Sequence, residues 1–197
     1  MPKEITAWFS IGSTYTYLTA LRIRKLINQH DIVLVVKPIS IRQIMKNMNN
    51  IPFPPEKKSK LVYMWRDIER RANLYGIPKP NVPAPYPLKA FDVANTVGVA
   101  LNSQGLYLDY FEATYKSWFL DGHESGSEEN LRFCAKELNI SYDELLSTSF
   151  SKTVSEEYKT NTLEAEKLGI FGAPSFTVGS ELFWGDDRLE DAINFAK

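Results

Sequence analysis

One cysteine, Cys134, occurs in 197 residues. A lone thiol excludes an internal disulfide, a Cys-x-x-Cys redox pair and any multi-cysteine zinc site. There are only two histidines, His30 and His123, and neither H-E-x-x-H nor any other metal-ligand spacing, so no metal site is expected. G-x-G-x-x-G and G-x-x-x-x-G-K-[ST] are both missing, which removes the usual phosphate-cradling loops. Charge of one sign is not in excess: 23 Lys+Arg stand against 24 Asp+Glu, a net charge of -1 that argues against nucleic acid as a partner. No apolar run nears the roughly 18 residues that cross a bilayer. The first residues, MPKEITAWF, carry Lys3 and Glu4 ahead of a short apolar run and no secretory segment. A cytoplasmic protein without a membrane partner is expected.

Apolar residues make up 44% and aromatic residues 13%, ample for a core, and the length suits one compact unit with an elaboration. Residues 4–10 (EITAWFS) read as a buried strand, 13–29 as a helix, and 32–37 (IVLVVK) as a second strand stopped by Pro38. This β-α-β start favours a parallel pair. The stretch 47–58 is polar and rich in Asn and Pro, a loop leaving the sheet. Leu61, Met64, Trp65, Ile68, Ala72 and Tyr75 then repeat at helical spacing over 58–75, closed by Gly76 and Pro78. A loop with five prolines (77–87) reads as extended across the surface. Helical patterns follow at 88–103, 106–120, 128–138, 141–149 and 152–168. Cys134 keeps phase with Leu131 and Leu138 and so reads as a core residue. PSFTV (174–178) and ELFW (181–184), joined by Gly179-Ser180, form a hairpin, and the last segment is an amphipathic helix that Asp187 and Glu190 begin as a D-x-x-E capping box. The order β-α-β, helical block, β-β-α fits an α/β thioredoxin-like fold with an inserted all-α domain. Its thioredoxin-like part spans 1–46 and 166–197, and the helical insert 47–165.

In that fold chemistry sits where the first strand meets the first helix, whose free N–H groups and dipole favour a sulfur anion. Here the position holds Gly12-Ser13-Thr14-Tyr15, so a hydroxyl replaces the thiol. Ser13 can equally be the N-cap of the helix. The second mark is Pro174, opening strand 174–178: in a thioredoxin-like context it is expected to be cis, with Ala173 offering its backbone N–H and C=O to an extended peptide. The acid-rich run 67–71 (DIERR) reads as a solvated helix face.

FSIGSTYTYLTALRI (9–23), KLVYMWRDIERRANLYGIP (60–78) and LGIFGAPSFTVGSELFWGDDRLE (168–190) together resemble the 2-hydroxychromene-2-carboxylate isomerases, relatives of the kappa-class glutathione transferases in the DsbA-like superfamily. The resemblance implies a glutathione-dependent isomerase of an aromatic or unsaturated 2-oxo acid, working by reversible thiolate addition and bond rotation. It implies that Ser13 hydrogen-bonds the glutathione sulfur and that Ala173 beside Pro174 pairs with the cysteinyl backbone. Asp187 matches an acid that binds the γ-glutamyl ammonium, flanked by Asp186 and Trp184. Lys60 matches a lysine reaching the substrate, Asn50 (or Asn49) a ligand-contacting asparagine, and Tyr86 an aromatic residue near the electrophile. Relatives carry Ser-Pro-Tyr/Phe-Ser where this chain has Ser13-Thr14-Tyr15-Thr16, a departure that bears on substrate identity. A kappa-type transferase or peroxidase, a non-catalytic peptide-binding module and a homodimer all stay open.

Overall fold

The computed structural model describes residues 3–50, 53 and 57–197. Strands β1 (Glu4–Phe9), β2 (Val33–Pro38), β3 (Ser175–Val178) and β4 (Glu181–Trp184) form one sheet in the order β2-β1-β3-β4. β1 runs parallel to β2, with Ala7 opposite Val36, and antiparallel to β3, with Ala7 opposite Phe176. β3 and β4 are the expected hairpin, with Ser175 opposite Trp184. Ala7, Trp8 and Phe9 are consecutive and all buried, as a central strand covered on both faces requires. Phe9 stacks on Phe111 at 4.5 Å and meets Phe176 edge-on at 5.9 Å, so truncation to Ala would cost about 3–5 kcal/mol.

The helices are α1 (Thr16–Ala20), α2 (Ile23–His30), α3 (Ile41–Asn47), α4 (Lys58–Tyr75), α5 (Phe91–Asn102), α6 (Tyr107–Leu120), α7 (Glu128–Leu138), α8 (Tyr142–Ser149), α9 (Lys152–Lys167) and α10 (Leu189–Ala196), with a 3-10 turn at Asp186–Arg188. The mixed sheet, with a helical block between its halves, is the architecture expected from the sequence. α10 packs on β1 and β3, whereas α5 and α9 pack on β2. Cys134 is buried in the core as expected, and burial pushes its thiol up to about 12.

One expectation needs correction, and two segments gain detail that the sequence did not supply. The helix expected over 13–29 is two helices, broken at Leu21 and Arg22. Arg22 is 7% exposed; its guanidinium lies 3.9 Å from the Tyr75 ring centre and donates to Glu190 and to the Asp186 carbonyl, tertiary partners that a local apolar period does not reveal. α3 fell in a stretch with no assignment; its signal was Ile41 and Ile44, both buried, behind the Ser40 N-cap. The proline-rich loop lies largely at the surface, as expected, and is tied down there. Tyr17 donates to Pro78 O at 2.7 Å, Trp118 to Pro85 O at 2.8 Å, and Ala84 is buried. A segment without its own backbone ladder takes donors from the helices it crosses.

Candidate functional site

The turn after β1 carries Ser13, and the Ala173-Pro174 peptide at the start of β3 is cis. β1 and β3 are hydrogen-bonded neighbours, so the two segments meet: Ser13 Oγ donates to Ala173 O at 2.6 Å. The N-cap reading of Ser13 is therefore corrected. α1 starts at Thr16 behind Tyr15, with no side-chain cap, and the Ser13 hydroxyl is turned across to the neighbouring segment instead. Gly12 precedes it at φ +124°, and a Cβ there would come within 2.6 Å of the Phe91 ring, so both conformation and space call for glycine. Thr14, where the resemblance leads one to expect proline, is buried and donates Oγ1 to Met64 Sδ at 3.0 Å. The hydroxyl anchors the turn to α4, a contact proline has no donor to make.

Trp184 and the acidic turn adjoin the same backbone. Gly185 N–H donates to Pro174 O at 3.0 Å. The Trp184 indole lies over Gly172, where a Cβ would come within 2.1 Å of it, and meets Phe171 at 4.8 Å while staying 53% exposed. Asp186 and Asp187, adjacent in sequence, have opposite surroundings. Asp186 is 1% exposed, and burial pushes its carboxyl up to about 7 although Arg71 and Arg22 pull the other way. Arg71 Nη2 lies 2.7 Å from Asp186 Oδ2, an ionic approach with no N–H aligned along it as a hydrogen bond. Asp187 is exposed, with Oδ2 3.3 Å from Arg188 and 3.9 Å from Arg71. The capping box is a second correction: Asp187 belongs to the 3-10 turn, α10 has no side-chain cap, and Glu190 pairs with Arg22.

One stripe of α4 faces this turn. Residues 60, 64, 67 and 71 recur at the spacing that shares a helix face. Met64 accepts from Thr14, Asp67 accepts the Tyr15 hydroxyl at 3.1 Å, and the Arg71 guanidinium lies 5.8 Å from the Tyr15 ring centre. Burial, then the Asp67 charge, raises the Tyr15 phenol. The run 67–71 is thus not merely a solvated face: Asp67 and Arg71 bind the turn, while Arg66 and Arg70 face out. Sequence reasoning tracked the apolar stripe of this helix and missed the polar one of the same period. Lys60 lies one helical turn before Met64, exposed, with Nζ 5.0 Å from the Phe53 ring centre. Phe53 meets Tyr86 edge-on at 6.2 Å, and Tyr86 meets Trp65 at 6.0 Å. Burial raises the Tyr86 phenol, opposed by Arg42. The structure therefore joins Lys60 and Tyr86 through one aromatic wall. Asn50 is exposed in the turn after α3, its N–H closing on Met45 O at 2.8 Å, and among the described residues no hydrogen bond links it to the Ser13 turn.

Comparison with known proteins places the fold and the family. Two curated proteins named 2-hydroxychromene-2-carboxylate isomerase are similar. One, from Sphingobium xenophagum, is 27% identical over 191 residues, covering 96% of each chain. The other, from Pseudomonas putida, is 25% identical over 186 residues, covering 92% of this chain and 88% of its own. A solved structure of a 2-hydroxychromene-2-carboxylate isomerase superposes with a TM-score of 0.83 at 24% identity, covering 98% of this chain and 95% of that one. The cytosolic disulfide reductase DsbM from Pseudomonas aeruginosa shares the fold at a TM-score of 0.65 and 12% identity, over 98% of this chain and 96% of that one. The family model described as a DSBA-like thioredoxin domain matches residues 4–194, nearly the whole chain, in keeping with the sheet order already described, and the chain belongs to the DsbA-like thioredoxin family.

Proposed function

We propose that this protein is a glutathione-dependent isomerase of an aromatic or unsaturated 2-oxo acid. The curated relatives' names support an isomerase. The observation that carries the glutathione part is the 2.6 Å contact between the Ser13 hydroxyl and the Ala173 carbonyl. It puts a rotatable O–H donor beside a backbone acceptor, the pair that a cysteinyl residue needs for its sulfur and its amide N–H. The residues fit the tripeptide further out as well. Asp187 presents an exposed carboxylate for an ammonium, two residues beyond the Gly185 N–H that holds Pro174.

Glutathione, when bound, supplies the nucleophilic sulfur for reversible addition to a conjugated double bond, which permits rotation and return of the free thiol. In this reading Ser13 gives up the Ala173 carbonyl to the ligand's N–H and turns its own proton to the sulfur. That bond favours the charged form, as the N–H groups and dipole of the following helix do. Lys60 holds the substrate carboxylate or the charge that develops on it, and Tyr86 with Phe53 and Trp65 flanks the aromatic part. The single cysteine is buried and takes no part. The reading also places the protein in the cytoplasm, where thiols are kept reduced.

Ser13→Ala tests this reading. Because Ser13 caps no helix, its loss should lower stability by only about 1 kcal/mol, the worth of one hydrogen bond. Titrating the thiolate absorbance of the glutathione complex should show the variant needing a higher pH than the native protein for the same signal. Coincident curves at unchanged affinity would remove Ser13 from the site.

A further inference from the structure

The turn that carries Ser13 is held by two buried side chains of the helical block. Asn95, on α5, is fully buried and bonds both ways with Ile11: Oδ1 accepts the Ile11 N–H at 2.8 Å, and Nδ2 donates to Ile11 O at 2.8 Å. The same Nδ2 donates to Phe91 O at 2.8 Å, which ties the amide to its own helix and fixes its plane. Tyr115, on α6, is fully buried and donates to Ser13 O at 2.9 Å. Its ring has Phe111 at 5.3 Å, Trp118 at 5.5 Å and Phe119 at 6.0 Å, so packing fixes where the hydroxyl points. Between the two anchors sits Gly12, which a side chain would drive into Phe91.

A serine hydroxyl has one short side-chain torsion, so its reach is set by the backbone that bears it. Fixing the peptide groups on either side of Gly12 fixes that backbone, and a misplacement of about 1 Å is enough to weaken a hydrogen bond to a reacting atom. We propose that Asn95 and Tyr115 are positioning residues that aim the Ser13 hydroxyl at the ligand sulfur, so that the helical block governs the acidity of the bound thiol through two groups that never touch it. This rests on the glutathione reading above.

The test is Tyr115→Phe against Tyr110→Phe. Tyr110 is equally buried on the same helix, and its hydroxyl donates to the Ala94 carbonyl at 2.9 Å rather than to the turn. Each variant loses one buried O–H from one backbone carbonyl, so thermal unfolding should fall by similar amounts in both. The thiolate titration of the glutathione complex should separate them. Tyr115→Phe should shift upward by about half a pH unit or more, roughly a threefold loss of thiolate at fixed pH, while Tyr110→Phe follows the native protein. Coincidence of Tyr115→Phe with the native curve, or an equal shift in both variants, overturns the proposal. If Tyr115→Phe yields no folded protein, Asn95→Gln, which keeps the amide and moves it by one methylene, carries the same two outcomes. A native protein that leaves the thiol of glutathione at its free value would instead overturn the function itself, and it would do so before any variant is compared.

Discussion

The Ser13 turn and the acidic turn at 185–188 adjoin the same Ala173-Pro174 backbone, and they are held by different physics. At Ser13 and Thr14 the ties are neutral, serine hydroxyl to carbonyl, threonine hydroxyl to thioether and tyrosine hydroxyl to carbonyl, and charge enters the turn only at Tyr15, through Asp67 and Arg71. At 185–188 the ties are charges, with Arg71 and Arg22 around a buried Asp186 and Arg188 beside an exposed Asp187. A neutral hydrogen bond keeps its strength as pH and salt change, whereas an ion pair does not. The half of the site that would set the sulfur is therefore built to be constant, and the half that would take a charged amino end is built to respond. Arg71 is the link, since it reaches both the Tyr15 ring and the two aspartates.

The largest expected effect breaks that link. Arg71→Met leaves Asp186 buried without its nearest cation, and removing one partner of a buried pair costs about 3 kcal/mol or more. The loss should be full near pH 8 and smaller near pH 5, where Asp186 can hold a proton in place of the pair. Urea unfolding at both values checks this; an equal loss at the two would mean that Arg71 acts through packing on Tyr75 and not through charge.

Asp186→Asn sharpens the contrast next. The folded carboxyl titrates at about 7, above the ~3.9 of an unfolded aspartate. The native state thus holds a proton that the unfolded chain has released. Asp186 contributes most to stability below about pH 4, and that contribution is lost as pH rises to about 7, with a slope of at most about 1.4 kcal/mol per pH unit. The amide should flatten stability across that window and leave the Ser13 half unaffected. A variant whose stability tracks the native pH profile would show that Asp186 is charged throughout.

The same contrast explains what the sequence disclosed. The sheet, the hairpin and helices such as 128–138 were legible because period-2 and period-3.6 patterns and their Gly and Pro stops are local. Ser13 and Pro174 were legible because the position of each follows from element order. Arg22, Arg71, Asn95 and Tyr115 were not, since each acts through a partner far along the chain, and a buried polar residue within an apolar period reads as core or as surface. Both capping readings failed for a related reason. Ser13 and Asp187 have the right chemistry for a cap, but a tertiary acceptor took the first and a 3-10 turn displaced the second from the start of α10.

Asp187→Asn should have the smallest effect on folding and isolates the charge that the acidic turn offers to a ligand. Asp187 caps no helix, and its pairs with Arg188 and Arg71 are exposed or long, so the amide should change stability by no more than about 0.5 kcal/mol. Binding should respond more. An ammonium loses a charged partner and keeps a neutral acceptor, a difference of about 1.4 kcal/mol or tenfold in affinity for glutathione. The neighbouring arginines compete for the same carboxylate, so the ratio should shrink as salt is raised. Calorimetry at low and at high salt, beside thermal unfolding, separates the two roles. The thiolate titration of bound glutathione should stay where the native protein has it, because the ties on Ser13 are untouched. Equal affinity at low salt would make Asp187 a surface residue and confine the site to its neutral half.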